Sequence, residues 1–322
     1  MFISPTNITT GMSVTDNGTG AYGFMLDQFP GADVALSLRR LSTGYNGPMI
    51  RIRREIDDEE ADVHFDARHY FSLNSPVDNF SSGSSSTNLG EFVHSADYDN
   101  PDSLGSATTA RLRTWYDQSG NSNDAVRTTA DRQPLPVNTS NLGVGENGMS
   151  YGTTAAYGRD QGTPAMYLAT DSMHIAQWGT ISHPMSITIV GQDSSAGSGG
   201  NKYWWESTTS STRNIVGGFY NNDDSGIYAG DYVLITDSNK TAGNKIYFGV
   251  WNGTASVFKL NDEDAFGAVG DNDQYGATLF ARYNESQSFM SGYVNEYIFW
   301  PTDQRSLSAE ISKAQNDFFQ RY

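Results

Sequence analysis

Apolar residues alternate with polar ones along several short stretches of the chain. Ile50 and Ile52 alternate with Arg51 and Arg53, and Val63 and Phe65 alternate with Asp62, His64 and Asp66. Successive strand side chains point to opposite faces, so each stretch is predicted to be a strand with one apolar and one charged face. The acidic run Glu55-Ile56-Asp57-Asp58-Glu59-Glu60 between them makes the pair a hairpin. Its charged face sets Arg51 and Arg53 against Asp62 and Asp66, at roughly 0.2–1 kcal/mol per opposed pair. Further strand signals fall at 112–116, 185–190, 214–220, 232–235, 245–251, 256–260, 278–283 and 290–300. Asn252-Gly253-Thr254 is a hairpin-turn signal between two of them. Many short strands at this spacing predict an all-β, two-sheet antiparallel β-sandwich.

Helical spacing occurs twice. Asp33 suits an N-cap, Val34, Leu38 and Leu41 recur at helical intervals, Gly44 suits a C-terminal cap and Pro48 forbids continuation, so a short helix is predicted there. Near the end, Ser308 caps a second helix that puts Ile311, Phe318, Phe319 and Tyr322 on one face. Residues 1–32 are polar and turn-rich and read as an N-terminal arm, a docking segment. Ser81–Ser86 is a low-complexity loop. There is no internal repeat and no linker after residue 32, so 33–322 is expected to form one domain.

Composition agrees with strands and turns: 33 Gly, 18 Tyr, 16 Phe and 6 Trp, with 18% charged residues. The net charge of −17 opposes nucleic-acid binding and adhesion to an anionic membrane. With no cysteine there is no disulfide framework and no thiolate metal site. The start has no basic region followed by an apolar run, and no stretch reaches the ~18 apolar residues of a membrane span. The expectation is a protein made in the cytoplasm, without membrane insertion, that leaves a cell by lysis or as part of a particle.

Two segments carry a family resemblance. One runs from Leu36-Ser37-Leu38-Arg39-Arg40-Leu41 through Gly44-Tyr45-Asn46-Gly47-Pro48 to Ile50-Arg51-Ile52-Arg53-Arg54. The other is Thr114-Trp115-Tyr116-Asp117-Gln118-Ser119-Gly120-Asn121-Ser122-Asn123-Asp124, with Arg132-Gln133-Pro134 beyond it. Together they resemble the arabinofuranosidase B-type β-sandwich domain, which also recurs in bacteriophage tail and surface proteins. The later strands Ser186–Val190 and Gly292–Phe299, with the Leu307-Ser308-Ala309-Glu310 helix start, resemble concanavalin or laminin G-like jelly rolls. The resemblance implies a bacteriophage virion structural protein: a tail, fibre or head-surface component. It would display a lectin-like sandwich on the virion surface for adhesion to host glycan. It would be made in the bacterial host cytoplasm, with other virion proteins, a host surface glycan and further copies of itself as partners. The alternatives are a glycoside hydrolase of arabinofuranosidase type and a capsid decoration protein without ligand.

The enzyme family retains configuration, which needs two carboxyl groups about 5–5.5 Å apart. The resemblance puts its acid/base Asp in a Gly-Gly-Asp-Asn-Ser-like stretch before the last strands. Gly270-Asp271-Asn272 keeps the Asp but lies early. Ala281-Arg282-Tyr283-Asn284 is in better register and has Tyr283 in its place. Glu206, in Tyr203-Trp204-Trp205-Glu206-Ser207, is the candidate nucleophile, while the family's vicinal cysteine pair is missing.

Tyr203, Trp204, Trp205, Phe219, Tyr220, Tyr228 and Trp251 are candidates for stacking on sugar, with core packing as the alternative. Because neighbours in a strand point oppositely, at most one of Trp204 and Trp205 is expected in a core buried on one face. Asp117, Ser119, Asn121 and Asn123 place oxygens at alternate positions, which fits a Ca²⁺ ring or, alternatively, turns closed on local backbone. Asn221–Asp224 and Asp271–Asp273 invite the same two readings. His64 and His69 miss the i, i+4 spacing of a helical zinc site. His174 and His183 are isolated, and neither a nucleophile elbow nor a phosphate-binding loop is present.

Overall fold

The computed structural model describes residues 23–93, 108–136, 164–194, 200–219, 224–236 and 243–319. In chain order the strands are β1 (Val34–Ser37), β2 (Ile50–Arg54), β3 (Glu60–Val63), β4 (Val77–Asp78), β5 (Ala110–Trp115), β6 (Ala125–Val126), β7 (Met166–Leu168), β8 (Met173–Ile181) and β9 (Met185–Asp193). They continue as β10 (Lys202–Glu206), β11 (Ile215–Phe219), β12 (Asp224–Tyr228), β13 (Tyr232–Thr236), β14 (Lys245–Trp251), β15 (Ser256–Leu260), β16 (Glu263–Gly267), β17 (Gln274–Leu279) and β18 (Gly292–Trp300). The helices are α1 (Met25–Gln28), α2 (Leu89–Val93) and α3 (Ser308–Phe319). None is long and apolar enough to cross a membrane.

The strands form two antiparallel sheets, as the alternating pattern predicts. The smaller has the order β1-β18-β9-β14-β15-β16, with β7 also on β18, and the larger runs β13-β12-β11-β10-β17-β8-β6-β5-β2-β3-β4. The main core lies between them. Ile187, Ile189, Tyr247, Tyr297 and Phe299 of the smaller sheet meet Ile50, Leu112, Trp115, Trp205, Val216 and Leu279 of the larger. Trp205 stacks on Phe299 with ring centroids 5.4 Å apart, and Trp115 meets Tyr297 edge-on at 5.9 Å.

The smaller sheet is covered on its other face as well. Met25, Leu26, Phe29 and Ala32 join Phe248, Val250, Ile298, Trp300 and Ile311 in a second apolar layer, and the Trp300 indole donates to the Phe29 carbonyl at 3.2 Å. Packed structure therefore begins ahead of residue 33; of the expected arm, residues 1–22 lie outside the described residues. A buried ion pair fastens α3: Glu296 on β18 accepts from Arg39 at 2.7 and 3.0 Å, from Ser37 at 2.9 Å and from Gln315 at 3.0 Å.

This double cover corrects the helix expected from Asp33 to Gly44. Val34–Ser37 is instead β1, paired with β18 from Val34↔Phe299 to Ser37↔Glu296. All four residues are buried, so alternation is lost and a continuous apolar run mimics helical spacing. Asp33 caps nothing; its amide donates to the Phe299 carbonyl at 2.8 Å.

The β2–β3 hairpin forms as expected, with Arg51 opposite Asp62 and Arg53 opposite Glu60. Arg51 pairs with Asp62 and Glu60, both at 2.9 Å. Its second expected pair does not form. Arg53 reaches Asp58 at 2.5 Å, and Asp66 holds Arg68 at 3.0 Å.

Candidate functional site

Directly opposed residues of antiparallel neighbours share a face. On the larger sheet the pairs Tyr232↔Tyr228, Tyr228↔Ile215, Ile215↔Glu206, Glu206↔Thr278 and Thr278↔His174 form one continuous row across β13, β12, β11, β10, β17 and β8. The adjoining residues Trp205, Leu279 and Met173 point the other way, into the core. The row therefore lies on the face turned away from the smaller sheet.

Its centre is polar. Glu206 is fully buried and forms an ion pair with Arg213; the Tyr283 amide donates to its Oε2 at 2.7 Å. Burial pushes the Glu206 carboxyl above its ordinary value, against the pull of Arg213, the Tyr283 amide and Arg282. On the same loop Glu285 pairs with His174 and with Arg127, the latter at 2.5 Å. Burial holds the His174 imidazole below its ordinary value, against the Glu285 charge. A neutral ring donating from Nε2 to Glu285 leaves Nδ1 to accept from Thr278 Oγ1, 3.4 Å away. Among the described residues, the buried Nε atoms of Arg127 and Arg282 have no partner.

One end of the row is aromatic. Tyr228 and Tyr232 are half-buried, with ring centroids 4.6 Å apart; Tyr232 meets Phe219 at 5.1 Å, and Phe219 meets Tyr203 at 6.0 Å. Arg213 joins the two ends: its Nε holds Glu206 and its Nη2 donates to the Tyr203 hydroxyl at 3.3 Å. Planar rings beside arginine, carboxylate and hydroxyl groups are the components of a small-ligand surface.

The structure brings Glu206 and the Tyr283 loop together. Tyr283 supplies a backbone amide where a retaining site needs a second carboxyl group. A nucleophile must touch its substrate, and Glu206 is enclosed by its own partners. Asp271 is exposed on the turn before β17 and is not among the groups that act on Glu206.

Trp204, Trp205 and Trp251 are core residues, each at most 1% exposed, so none offers a ring face to a ligand. Trp204 and Trp205 both reach the core because the register slips between Tyr203 and Trp205. A bulge residue escapes strict alternation. Of the sugar-stacking candidates among the described residues, Tyr228 is the one half-open on the outer face. Tyr220 lies outside the described residues, as do Asn221–Asp223. Tyr232, Arg127 and Glu285 were not singled out by sequence; Tyr232 carried a signal, as an aromatic opening a strand.

The candidate cation loop is bonded to backbone. Asp117 Oδ1 accepts the Ala35 and Ser119 amides at 2.8 and 2.9 Å, and Oδ2 accepts the Asn123 amide at 3.0 Å and the Ser119 hydroxyl at 2.6 Å. Asn121 and Asn123 donate to the Ala32 and Asp33 carbonyls at 3.1 and 2.8 Å. Among the described residues no group of three or more His, Asp or Glu side chains is placed to hold a metal. Asp117→Ala orphans these amides and is expected to cost about 1–3 kcal/mol. Urea unfolding measures it, and the wild-type midpoint is expected to be equal in calcium and in chelator.

The class defined here is a large two-sheet antiparallel β-sandwich with a C-terminal helix on its smaller sheet. No family model and no curated protein matches the sequence. Among solved structures, it is similar to an arabinofuranosidase complexed with arabinofuranosyl-α-1,2-xylobiose, at TM-score 0.54 and 11% identity over 90% of this chain and 64% of that one. It is also similar to a mutant GH54 α-L-arabinofuranosidase soaked with 4-nitrophenyl α-L-arabinofuranoside, at TM-score 0.56 and 11% identity over the same shares. This chain thus spans less than two-thirds of those enzymes' length, and likeness at such identity concerns the fold.

Proposed function

We propose that this chain is a bacteriophage virion surface protein, a tail, fibre or head-surface component, that adheres to host glycan through the outer face of its larger sheet. The observation that carries the adhesion reading is the outer face along this row: the half-open Tyr228 and Tyr232 rings share it with the part-exposed Arg213 and His174, and the buried Glu206 holds Arg213 from beneath. Sugar C–H faces pack on rings while hydroxyls bond the polar groups. The likeness of fold to arabinofuranosidases, one complexed with an arabinofuranosyl xylobiose, supports a sugar as ligand. The phage assignment rests on the resemblance of the 36–54 and 114–134 segments to a domain that recurs in phage surface proteins. The net charge of −17 suits a crowded, solvated exterior. Other virion proteins would hold it, and repeated copies would turn weak single contacts into lasting adhesion.

Display of the chain in multivalent form on a glycan array tests the adhesion reading. Retention of a defined glycan set is expected, with about tenfold weaker retention for the Tyr228→Ser, Tyr232→Ser double variant. A folded multimer that retains nothing overturns adhesion and leaves a decoration role.

A further inference from the structure

A cleft separate from the sheet face opens at one end of the sandwich, where the chain leaves β1 and β3. It has a volume of about 250 Å³ and is lined by Arg40, Tyr45, Asn46, Gly47, His64, Phe65, Asp66 and His69. It lies beside β3, six strands from Glu206 on β10 in sheet order, roughly 29 Å at the spacing of adjacent strands. Drug-sized ligands take clefts of about 300–1,000 Å³, so this one suits a single sugar ring.

Its aromatic wall is Tyr45 and Phe65, with ring centroids 6.2 Å apart and nearly perpendicular. The Tyr45 hydroxyl donates to the Pro48 carbonyl at 2.6 Å, which folds the ring back over Gly47. A Cβ on Gly47 would lie 2.8 Å from that hydroxyl, so the ring's place depends on glycine there.

The polar wall has donors to spare. Asp66, the carboxylate of the lining, is saturated by the Arg68 and Tyr70 amides, the Arg68 guanidinium and the Ser72 hydroxyl, at 2.8–3.2 Å. Asn46 Oδ1 is taken by Arg40 at 3.0 Å. Arg40 spends Nε and Nη2 on the Ser42 and Thr43 carbonyls and on Asn46, leaving Nη1 without a partner among the described residues. His64 donates to Asp78 from Nε2 at 3.0 Å, which leaves Nδ1 of the neutral ring as an acceptor for a hydroxyl. The His69 ring meets the edge of Phe24, with centroids 5.7 Å apart, and its nitrogens have no hydrogen-bond partner among the described residues.

His69 is also held at φ +64°, between its own amide bond to Asp66 and the Arg40 amide bonded to its carbonyl. A histidine there costs about 1–2 kcal/mol that glycine would not. The carboxylates whose charge reaches Tyr45 are occupied too: Asp124 by the Asp117 amide, Asp117 by the Ala35, Ser119 and Asn123 amides, and Asp62 by Arg51, Tyr116 and Asn79. With Asp66 and Asn46 Oδ1 bonded, and Arg40 Nη1 and a ring N–H of His69 open, the cleft offers charged and neutral donors to a ligand's acceptors.

We propose that this cleft binds one carboxylate-bearing sugar unit, with Arg40 and His69 on the carboxylate and its neighbouring oxygens, His64 Nδ1 accepting from a sugar hydroxyl, and the Tyr45 and Phe65 rings against the sugar's C–H face. The proposal rests on the glycan-adhesion reading and gives it a second, acid-selective subsite. Titration of the full chain with glucuronate and with glucose, followed by saturation-transfer NMR, tests it. Glucuronate is expected to bind about tenfold more tightly than glucose, since a hydrogen bond to a charged group exceeds one between neutral groups by about that factor. His69→Gly removes the ring and suits the backbone, so it should keep the fold and weaken glucuronate about tenfold. Gly47→Ala displaces Tyr45 and should weaken both sugars.

Equal binding of the two sugars, no glucuronate binding, or a folded His69→Gly variant that binds glucuronate as before overturns the proposal. If the glycan array is positive in those cases, adhesion stands on the sheet face alone; a negative array removes the adhesion reading itself.

Discussion

Trp205→Ala is expected to lower the free energy of unfolding by about 3–5 kcal/mol, the cost of emptying a large aromatic site from a packed core. Trp205 stacks on Phe299 and Tyr297 at 5.4 and 6.4 Å and meets Trp178 at 6.2 Å. Its indole donates to Gln274 at 3.2 Å. The neighbours come from β8, β17 and β18, so local collapse cannot refill the space without moving both sheets. Urea unfolding gives the number, and glycan retention per folded molecule should not change. A loss of retention with little loss of stability would instead put this ring at the ligand.

Arg213→Met should cost a similar amount, about 3–5 kcal/mol at neutral pH, because it leaves the Glu206 carboxylate buried and uncompensated. Burial already raises the Glu206 pKa, and removing Arg213 raises it further. A carboxyl that holds its proton more tightly folded than unfolded stabilises the fold at acid pH. That stabilisation is lost as pH climbs from the unfolded-chain value, 4.5, through the raised folded one. The deficit of the variant should therefore be small in acid and grow toward neutrality. Adding Glu206→Gln should flatten the dependence. A deficit independent of pH would mean that Glu206 is not the group left stranded.

The β2–β3 hairpin was legible because one of its faces meets the core and the other meets solvent, so apolar and charged residues alternate. β9, β14 and β18 were legible as apolar runs. β1 was not, since a short strand covered on both faces has no alternation to read. The bulge that turns Trp204 and Trp205 the same way leaves no mark in composition. The outer row joins residues as far apart as His174 and Thr278, 104 positions along the chain. Only sheet order assembles it. Tyr283 was within reach because the family resemblance marked its stretch, and Glu206 as a carboxylate set in an aromatic strand, while Arg127 and Glu285 gain meaning only from meeting His174. Alternating oxygens from Asp117 to Asn123 fit a cation ring and turn closure equally well in sequence; in the fold Asp117 accepts the Ala35, Ser119 and Asn123 amides.

In the proposed adhesion reading the outer face retains sugar without cutting it, with Glu206 as a buried counterion to Arg213. The direct measurement is mass spectrometry of an array-selected glycan after prolonged incubation with the immobilised chain. The glycan should be recovered from the chain intact, at its original mass. Release of shorter products at a rate that vanishes in Glu206→Gln would make Glu206 a working nucleophile and contradict that role.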